Sequence, residues 1–408
     1  MTEVIEKTEN KKGYKKTKLG WIPEDWEVVK LGNIATEIKD KVGTKQRTPM
    51  SLSAGKGFVA QAKKFGKDIA GKQYAQYTCL PPRTFAYNKG NSLKYPQGCI
   101  YQQPFDEEVA VPNVFICFEL DKNRCNNNFY EQLFKNNAQG KELFKYINSG
   151  VRNDGLLNLN DNNFFKIKLV LPPLNEQEKI AEILSAWDDG IETLEKLIEQ
   201  KEVLKNSLAQ KYFHRKNNLF QLKQHKLGEL FKNRKETNCC DLELLSVCDG
   251  LGIVPRSQLN AKDNSNEDKS KYLKVCVGDL AYNTMRMWQG RCGVSSYEGI
   301  VSPAYTVCIP QDNIDVDYMY YLFKTPHMIH DFWRYSQGIV DDTLNLKFNN
   351  FEVIKVWIPD KETQTKIAKL LKSYDKEIQI LNSKLEKLKE QKKGLMQKLL
   401  TGQIRVKV

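Results

Sequence analysis

The chain is written twice, and this duplication constrains its fold more than any other feature of its 408 residues. Lys30-Leu31-Gly32 returns as Lys226-Leu227-Gly228, and Phe85-Ala86-Tyr87-Asn88 returns as Leu280-Ala281-Tyr282-Asn283. Leu133-Phe134-Lys135 returns as Leu322-Phe323-Lys324. Leu157-Asn158-Leu159 and Asn162-Asn163-Phe164 return as Leu344-Asn345-Leu346 and Asn349-Asn350-Phe351. From there the register holds at 187 residues: Ile180-Ala181, Leu184, Asp188 and Ile191 match Ile367-Ala368, Leu371, Asp375 and Ile378. Earlier offsets drift from 196 down to 187, so the front of each half has accepted insertions and deletions. A period this long duplicates a whole module and does not describe a solenoid.

The back of each half reads as one long helix. Leu371, Tyr374, Ile378, Leu381, Leu385, Leu388, Leu395 and Leu399 fall on three- and four-residue steps, interrupted only at Lys392. This is a heptad seam rather than the broader stripe of a globular helix. Ile180, Leu184, Trp187, Ile191, Leu194, Ile198, Leu204 and Leu208 follow a similar course, loosening near Lys201 and Lys205. Both helices begin after a strand and a proline, Lys168–Leu171 then Pro172 and Lys355–Ile358 then Pro359, with Asn175 and Thr363 as candidate caps. Each covers about 35–40 residues, hence roughly 55–60 Å at the helical rise.

A lone heptad helix exposes its seam, so two in one chain are expected to pair. Pro172–Lys216 carries seven Lys/Arg against nine Asp/Glu, a balance of −2, and Lys361–Val408 carries thirteen against five, a balance of +8. Opposite balances favour pairing, although exposed charge pairs contribute only about 0–1 kcal/mol each. The intervening chain must leave one end and return, which implies an antiparallel pair with a globular module at each end. The alternative is a coiled coil between two copies of the chain.

The front of each half mixes strands and helix. Strand-like runs at Asn113–Leu120 and Ser302–Ile309 sit beside one helical segment each, around Phe129–Ile147 and Tyr318–Tyr335. Ala261–Lys271 reads as an exposed charged loop and Met1–Lys18 as a polar tail. The fold class is therefore α+β: two similar mixed modules and two long coiled-coil helices, with an internal pseudo-two-fold repeat. The boundaries fall at 1–18, 19–171, 172–216, 217–358 and 359–408.

Lys and Arg total 63 against 50 Asp and Glu, a net charge of +13, which points to an acidic partner, nucleic acid before membrane. The most apolar stretch, Val109–Leu120, is interrupted by Pro112, Asn113 and Glu119 and is too short to span a bilayer. Met1–Glu9 lacks an apolar signal core, and ten cysteines without a C-x-x-C pair fit free thiols, so the cytoplasm is the expected compartment.

Catalytic signatures are missing. Gly250-Leu251-Gly252 has no third glycine at the dinucleotide-binding step. Leu80-Pro81-Pro82-Arg83 and Leu171-Pro172-Pro173-Leu174 lack the flanking groups that hold a flipped base for methylation. Pro359-Asp360 with Glu390-Gln391-Lys392 approximates a nuclease pattern, but its parts lie about 45 Å apart along one helix. The four histidines, His214, His225, His327 and His330, complete no metal set. The chain reads as a binder without a cofactor of its own.

Two segments after the repeated Ala-Tyr-Asn combine base-reading side chains with aromatics. The candidate DNA-binding residues are Asn88, Lys89, Asn91, Ser92, Lys94 and Tyr95 in the first, with Gln97, Gln102 and Gln103 beyond. In the second they are Asn283, Arg286, Trp288, Gln289 and Arg291. Arg and Lys suit guanine O6 and N7, Asn and Gln suit adenine, and lysines hold phosphates. The plainer reading of each segment is a polar turn with a buried tyrosine. Arg152 and Arg256 are weaker candidates. For helix pairing the candidates are Ile180, Leu184, Trp187, Ile191, Leu194 and Ile198 against Leu371, Tyr374, Ile378, Leu381, Leu385 and Leu388.

These residues carry a resemblance. The duplicated architecture resembles the specificity subunit of type I restriction–modification systems, with two target-recognition domains separated by helical spacers. Similar passages are Leu19-Gly20-Trp21-Ile22-Pro23-Glu24-Asp25-Trp26-Glu27-Val28 with Leu31-Gly32, and Leu171-Pro172-Pro173-Leu174-Asn175-Glu176-Gln177-Glu178-Lys179-Ile180-Ala181. Met285-Arg286-Met287-Trp288-Gln289-Gly290, Ile300-Val301-Ser302-Pro303-Ala304-Tyr305 and Gly394-Leu395-Met396-Gln397-Lys398-Leu399-Leu400-Thr401-Gly402 are similar as well. The second spacer departs at Pro359-Asp360-Lys361-Glu362-Thr363-Gln364. The resemblance implies that each domain reads half of a split double-stranded DNA site, while the paired helices set the gap and dock two methyltransferase subunits. Those subunits use S-adenosylmethionine, and two motor–nuclease subunits use ATP and Mg²⁺. The rivals are a single-chain methyltransferase or nuclease with a disguised site, and a coiled-coil scaffold with no DNA role.

Overall fold

The repeated Leu-Gly pair anchors each half. A computed structural model describes residues 12–65, 71–90, 95–147, 157–214, 219–248, 252–259, 265–339 and 343–407. In it Leu31 and Leu227 are fully buried. The Leu31 and Gly32 amides donate to the Ile167 and Phe165 carbonyls at 2.8 and 2.9 Å, and those of Leu227 and Gly228 to Ile354 and Glu352, both at 2.9 Å. This approach explains the glycine: a β-carbon on Gly228 would lie 2.8 Å from that of Glu352, and one on Gly32 would lie 3.3 Å from the Phe165 carbonyl oxygen. Next to each anchor, the strand entering the module pairs antiparallel with the strand leaving it, Glu27–Lys30 with Lys168–Leu171 and Lys223–Lys226 with Lys355–Ile358.

The chain divides into two compact units, residues 1–194 with 384–408, and residues 195–383. Unit 1 is built on an antiparallel sheet of β1 (Ala35–Glu37), β2 (Phe85–Asn88), β3 (Cys99–Gln102) and β4 (Ile116–Leu120), ordered β1-β4-β2-β3. Against it packs α1 (Asn127–Lys135), and the module hands over to the first long helix, α2 (Leu174–Phe213). Unit 2 repeats the plan with β5 (Phe231–Arg234), β6 (Leu280–Asn283), β7 (Cys292–Val294) and β8 (Tyr305–Pro310), ordered β5-β8-β6-β7. Then come α3 (Val316–Phe323), α4 (Pro326–Tyr335) and the second long helix, α5 (Lys361–Leu399).

The other repeats are core. Tyr87 stacks on Phe164 with ring centroids 4.8 Å apart, and Tyr282 meets Phe351 at 5.2 Å. All four rings are fully buried, so Ala-Tyr-Asn and Asn-Asn-Phe recur because each half closes the same aromatic contact. The fronts differ where the offsets drift. Unit 1 adds a four-stranded sheet in which Val109–Val111 runs parallel to Thr48–Ser53. Unit 2 has two two-stranded ribbons instead, Leu245–Cys248 with Gly252–Pro255 and Leu273–Val275 with Gly299–Val301.

Several expectations need correction. The single helical segment of each module is two helices. Asn137 takes a left-handed φ of 54° and breaks the first after Lys135, and Pro326, which cannot continue a helix, opens the second of the other pair. The strand runs begin later than their apolar pattern, at Ile116 and Tyr305, because Pro112–Phe115 and Ser302–Tyr305 are turns. Neither Asn175 nor Thr363 caps its helix from outside. Pro173 takes the position before α2, while Asp360 caps α5, its carboxylate accepting the Thr363 amide at 3.0 Å. That hydrogen bond holds the Asp360 carboxyl below its usual range.

The two long helices, 40 and 39 residues, pair within the chain and antiparallel. In unit 2, Lys201 meets Glu377 and Lys205 meets Asp375, each at 2.8 Å, so numbers rise on one helix as they fall on the other. Burial follows the heptad: Leu371, Ile378, Leu385, Lys392 and Leu399 are buried every seventh residue, and Tyr374, Leu381 and Leu388 are half-buried. On α2, Ile180, Leu184, Leu194 and Ile198 are buried, Trp187 and Ile191 half-buried, and Leu204 exposed. Of the nuclease-like residues, Asp360 is a cap and Lys392 an ion-pair partner of Asp188, while Glu390 is exposed on α5.

Candidate nucleic-acid interface

Both candidate loops leave the same strand of the same sheet through the same device. The Asn88 side-chain oxygen accepts the Gly90 amide at 2.8 Å, and that of Asn283 accepts the Met285 amide at 3.0 Å. Such an asparagine turn bends the chain out of a strand at low cost. Asn88 is tied further by its amide to the Leu52 carbonyl at 2.8 Å. Glycines close the loops. Gly98 has φ +75°, and a β-carbon there would lie 2.4 Å from the Asn88 carbonyl oxygen, while Gly290 has φ +73°.

In unit 1, Lys89 pairs with Asp161 at 2.9 Å and is largely sheltered, and its carbonyl accepts the Leu157 amide at 2.9 Å. Tyr95 is half-buried, against Gly55. Tyr101, half-buried nearby, accepts the Gly55 amide at 2.8 Å, and burial pushes its phenol well above the usual range. Gln102 and Gln103 are buried and brace the turn at the far end of the sheet, donating to the Arg83 and Glu107 carbonyls at 3.0 and 2.6 Å. Asn91, Ser92, Lys94 and Arg152 lie outside the described residues.

In unit 2 the loop is compact. Met287 is fully buried and plugs it, and the Trp288 indole donates to the Met285 carbonyl at 3.0 Å. Gln289, Arg291 and Met285 are exposed, and Arg286 and Trp288 are half-buried. Arg256, after Pro255, is half-buried with its amide on the Leu244 carbonyl at 2.8 Å. The helix α4 packs on the loop, with Ile329 against Gly290. It buries Met328, Asp331 and Phe332 and exposes His330, Trp333 and Arg334. Sequence reading missed these three. The signal was a helix whose buried residues take one face and leave a cation and two aromatics on the other.

Among the described residues, no cluster of three or more His, Cys, Asp or Glu stands in place for a metal ion, and no helix is long and apolar enough to cross a membrane. The geometry offers display: two loops of unlike sequence, held at equivalent edges of two like sheets.

Comparison with known proteins accords with this geometry. The family described as "Type I restriction modification DNA specificity domain" matches residues 23–203 and 257–390. The chain is 24% identical over 424 residues to a putative type I restriction enzyme MjaX specificity subunit of Methanocaldococcus jannaschii, covering 97% of each. It is also 24% identical over 416 residues to the MjaVIII specificity subunit of the same organism, covering 95% of this chain and 94% of the relative. The crystal structure of a type I restriction–modification S subunit from M. genitalium superposes with a TM-score of 0.57 at 15% identity, covering 92% of this chain and 96% of that one. A chain from a structure of type I system assembly and conformational transition gives 0.54 at 14%, covering 94% and 99%.

Proposed function

The chain belongs to the type I restriction–modification DNA specificity family, and on that premise we propose that its two modules, residues 19–171 and 217–358, each read one half of a split double-stranded DNA site. It is the specificity subunit of such a system and supplies the address at which other subunits act. The observation that carries the reading is the pair of matched loops after β2 and β6, launched by the same asparagine turn and unlike in sequence, as two readers of different bases would be.

In this reading Arg286, Trp288, Gln289 and Arg291 contact DNA from unit 2, with Arg256 at the flank. The first loop does the same through Asn91, Ser92, Lys94 and Tyr95, with Asn88 shaping it, Lys89 held against Asp161 rather than displayed, and Arg152 as a further contact. His330, Trp333 and Arg334 extend the second surface. The helical spacers, 172–216 and 359–408, act as a ruler that fixes the unspecified gap; of the expected tail 1–18, Tyr14–Thr17 is instead a strand paired with Gly20–Pro23. The spacers also dock two methyltransferase subunits, which bring S-adenosylmethionine, and through them two motor–nuclease subunits using ATP and Mg²⁺. The whole would work in the cytoplasm, where host DNA is marked and foreign DNA cut.

Long-read methylation mapping of a host with and without this gene tests the function. The reading predicts one bipartite methylated motif that vanishes with the gene, and an affinity for DNA that falls steeply with salt through counterion release. S-adenosylmethionine binding or DNA cleavage by the purified chain alone would overturn it.

A further inference from the structure

Lys392 breaks the heptad row of α5 yet is buried in it. Its ammonium is bound to Asp188 Oδ1 on α2, and lies 3.4 Å from the Gln132 side-chain oxygen on α1. Gln132, itself buried, donates from its amide to Asp188 Oδ2 at 2.7 Å. Unit 2 repeats the junction. Lys205 on α2 donates to Asp375 Oδ1 on α5 at 2.8 Å, and the Tyr321 hydroxyl on α3 donates to Asp375 Oδ2. Asp188 and Asp375 stand 187 residues apart, as do Lys205 and Lys392, so the duplication carried both members and exchanged their helices. In each junction one carboxylate takes its own module's helix on one oxygen and the opposing long helix on the other.

Stability does not call for this. A lysine withdrawn into a helix seam costs more in lost hydration than an apolar residue of similar volume. What a polar group at a heptad core position supplies is register, because it is satisfied at one alignment only. A slip of one heptad would set Lys392 against Ala181 or Glu195, and Lys205 against Ala368 or Asn382, so no slip keeps both pairs.

We propose that the paired junctions Gln132–Asp188–Lys392 and Tyr321–Asp375–Lys205 fix the register of the two long helices, tie each module to that register, and thereby restrict the protein to one gap length. The proposal rests on the ruler reading above, and the experiment separates the two. In a host carrying the locus, gap lengths are read from the methylome for four versions of the chain: native, Lys392→Met with Lys205→Met, the exchange Asp188→Lys with Lys392→Asp, and a deletion of one heptad from each long helix.

Asp188 and Asp375 are each 41% exposed and keep Gln132 and Tyr321 as partners, so the methionine pair should fold with little change in thermal stability yet raise methylation at sites of non-native gap tenfold or more. The exchanged pair should return to the native gap. A folded methionine pair that keeps a single gap would overturn the proposal, as would its failure to fold, since the lysines would then serve stability. An exchanged pair as permissive as the methionine variant would also count against it. The heptad deletion tests the ruler alone: a shifted gap sustains that reading, and an unchanged one removes it, whatever the lysine variants do.

Discussion

The two long helices start differently and then behave alike. At the start of α2, Glu176 is almost fully buried and accepts the Trp26 indole at 2.7 Å and the Arg405 guanidinium at 2.7 and 2.9 Å. Arg405 also grips Asp25 at 3.0 and 2.7 Å, and the Tyr14 hydroxyl donates to the Gly402 carbonyl at 2.8 Å. At the matching position of α5 stands Thr363, whose amide and hydroxyl bind the exposed Asp360 carboxylate at 3.0 and 2.9 Å. One residue later the difference is gone. Gln177 and Gln364 are both buried, accept the Asn126 and Asp315 amides at 2.8 and 3.0 Å, and donate to Pro172 and Pro359 at 2.8 Å. Asn126 and Asp315 in turn cap α1 and α3. The repeat is thus strict where a module joins its helix and departs where unit 1 fastens residues 402–405.

That comparison can be broken at several strengths. The largest effect belongs to the shared joint: Leu184→Ala and Leu371→Ala each remove a fully buried side chain at matching positions and should each cost about 2–5 kcal/mol by denaturant unfolding. Tolerance at only one would show that the units do not share the joint. Next, Glu176→Ala leaves the fully buried Trp26 indole without its acceptor, a loss of about 1–3 kcal/mol, and Thr363→Ala should cost visibly less. Equal losses would erase the contrast. Smaller still is a chemical contrast. Cys79, Cys99, Cys117 and Cys125 of unit 1 are all buried, and burial pushes the Cys99 and Cys125 thiols up to about 11 and Cys117 to about 12. Unit 2 also buries Cys292 and Cys308 but holds the exposed Cys240 and the half-buried Cys239, Cys248 and Cys276. A thiol reagent at neutral pH should label unit 2 alone until the protein unfolds, as mass spectrometry of the digested chain would record.

The duplication was legible because its short motifs recur in the same order, and the two long helices because periodic apolar spacing is displayed directly in sequence. The loops were legible only in position. Asn88 and Asn283 look like base readers in sequence, but the hydrogen bonds that occupy them run to a backbone amide two residues away. Lys392 read as a flaw in the seam because its partner Asp188 stands 204 residues earlier, a separation that no local pattern spans. The helix break at Asn137 was hidden for a similar reason. A left-handed residue leaves no mark on hydrophobic spacing.

The central claim is that each unit reads its own half of the DNA site, and methylome mapping of Arg286→Ala and Gln289→Ala in the intact system tests it most directly. Both residues lie in the unit 2 loop, and losing a base contact should relax discrimination by about 1–3 kcal/mol per position. The prediction is a motif degenerate at one or two positions of a single half, with the other half and the gap unchanged. Uniform loss of methylation across both halves, with no new sites gained, would contradict it.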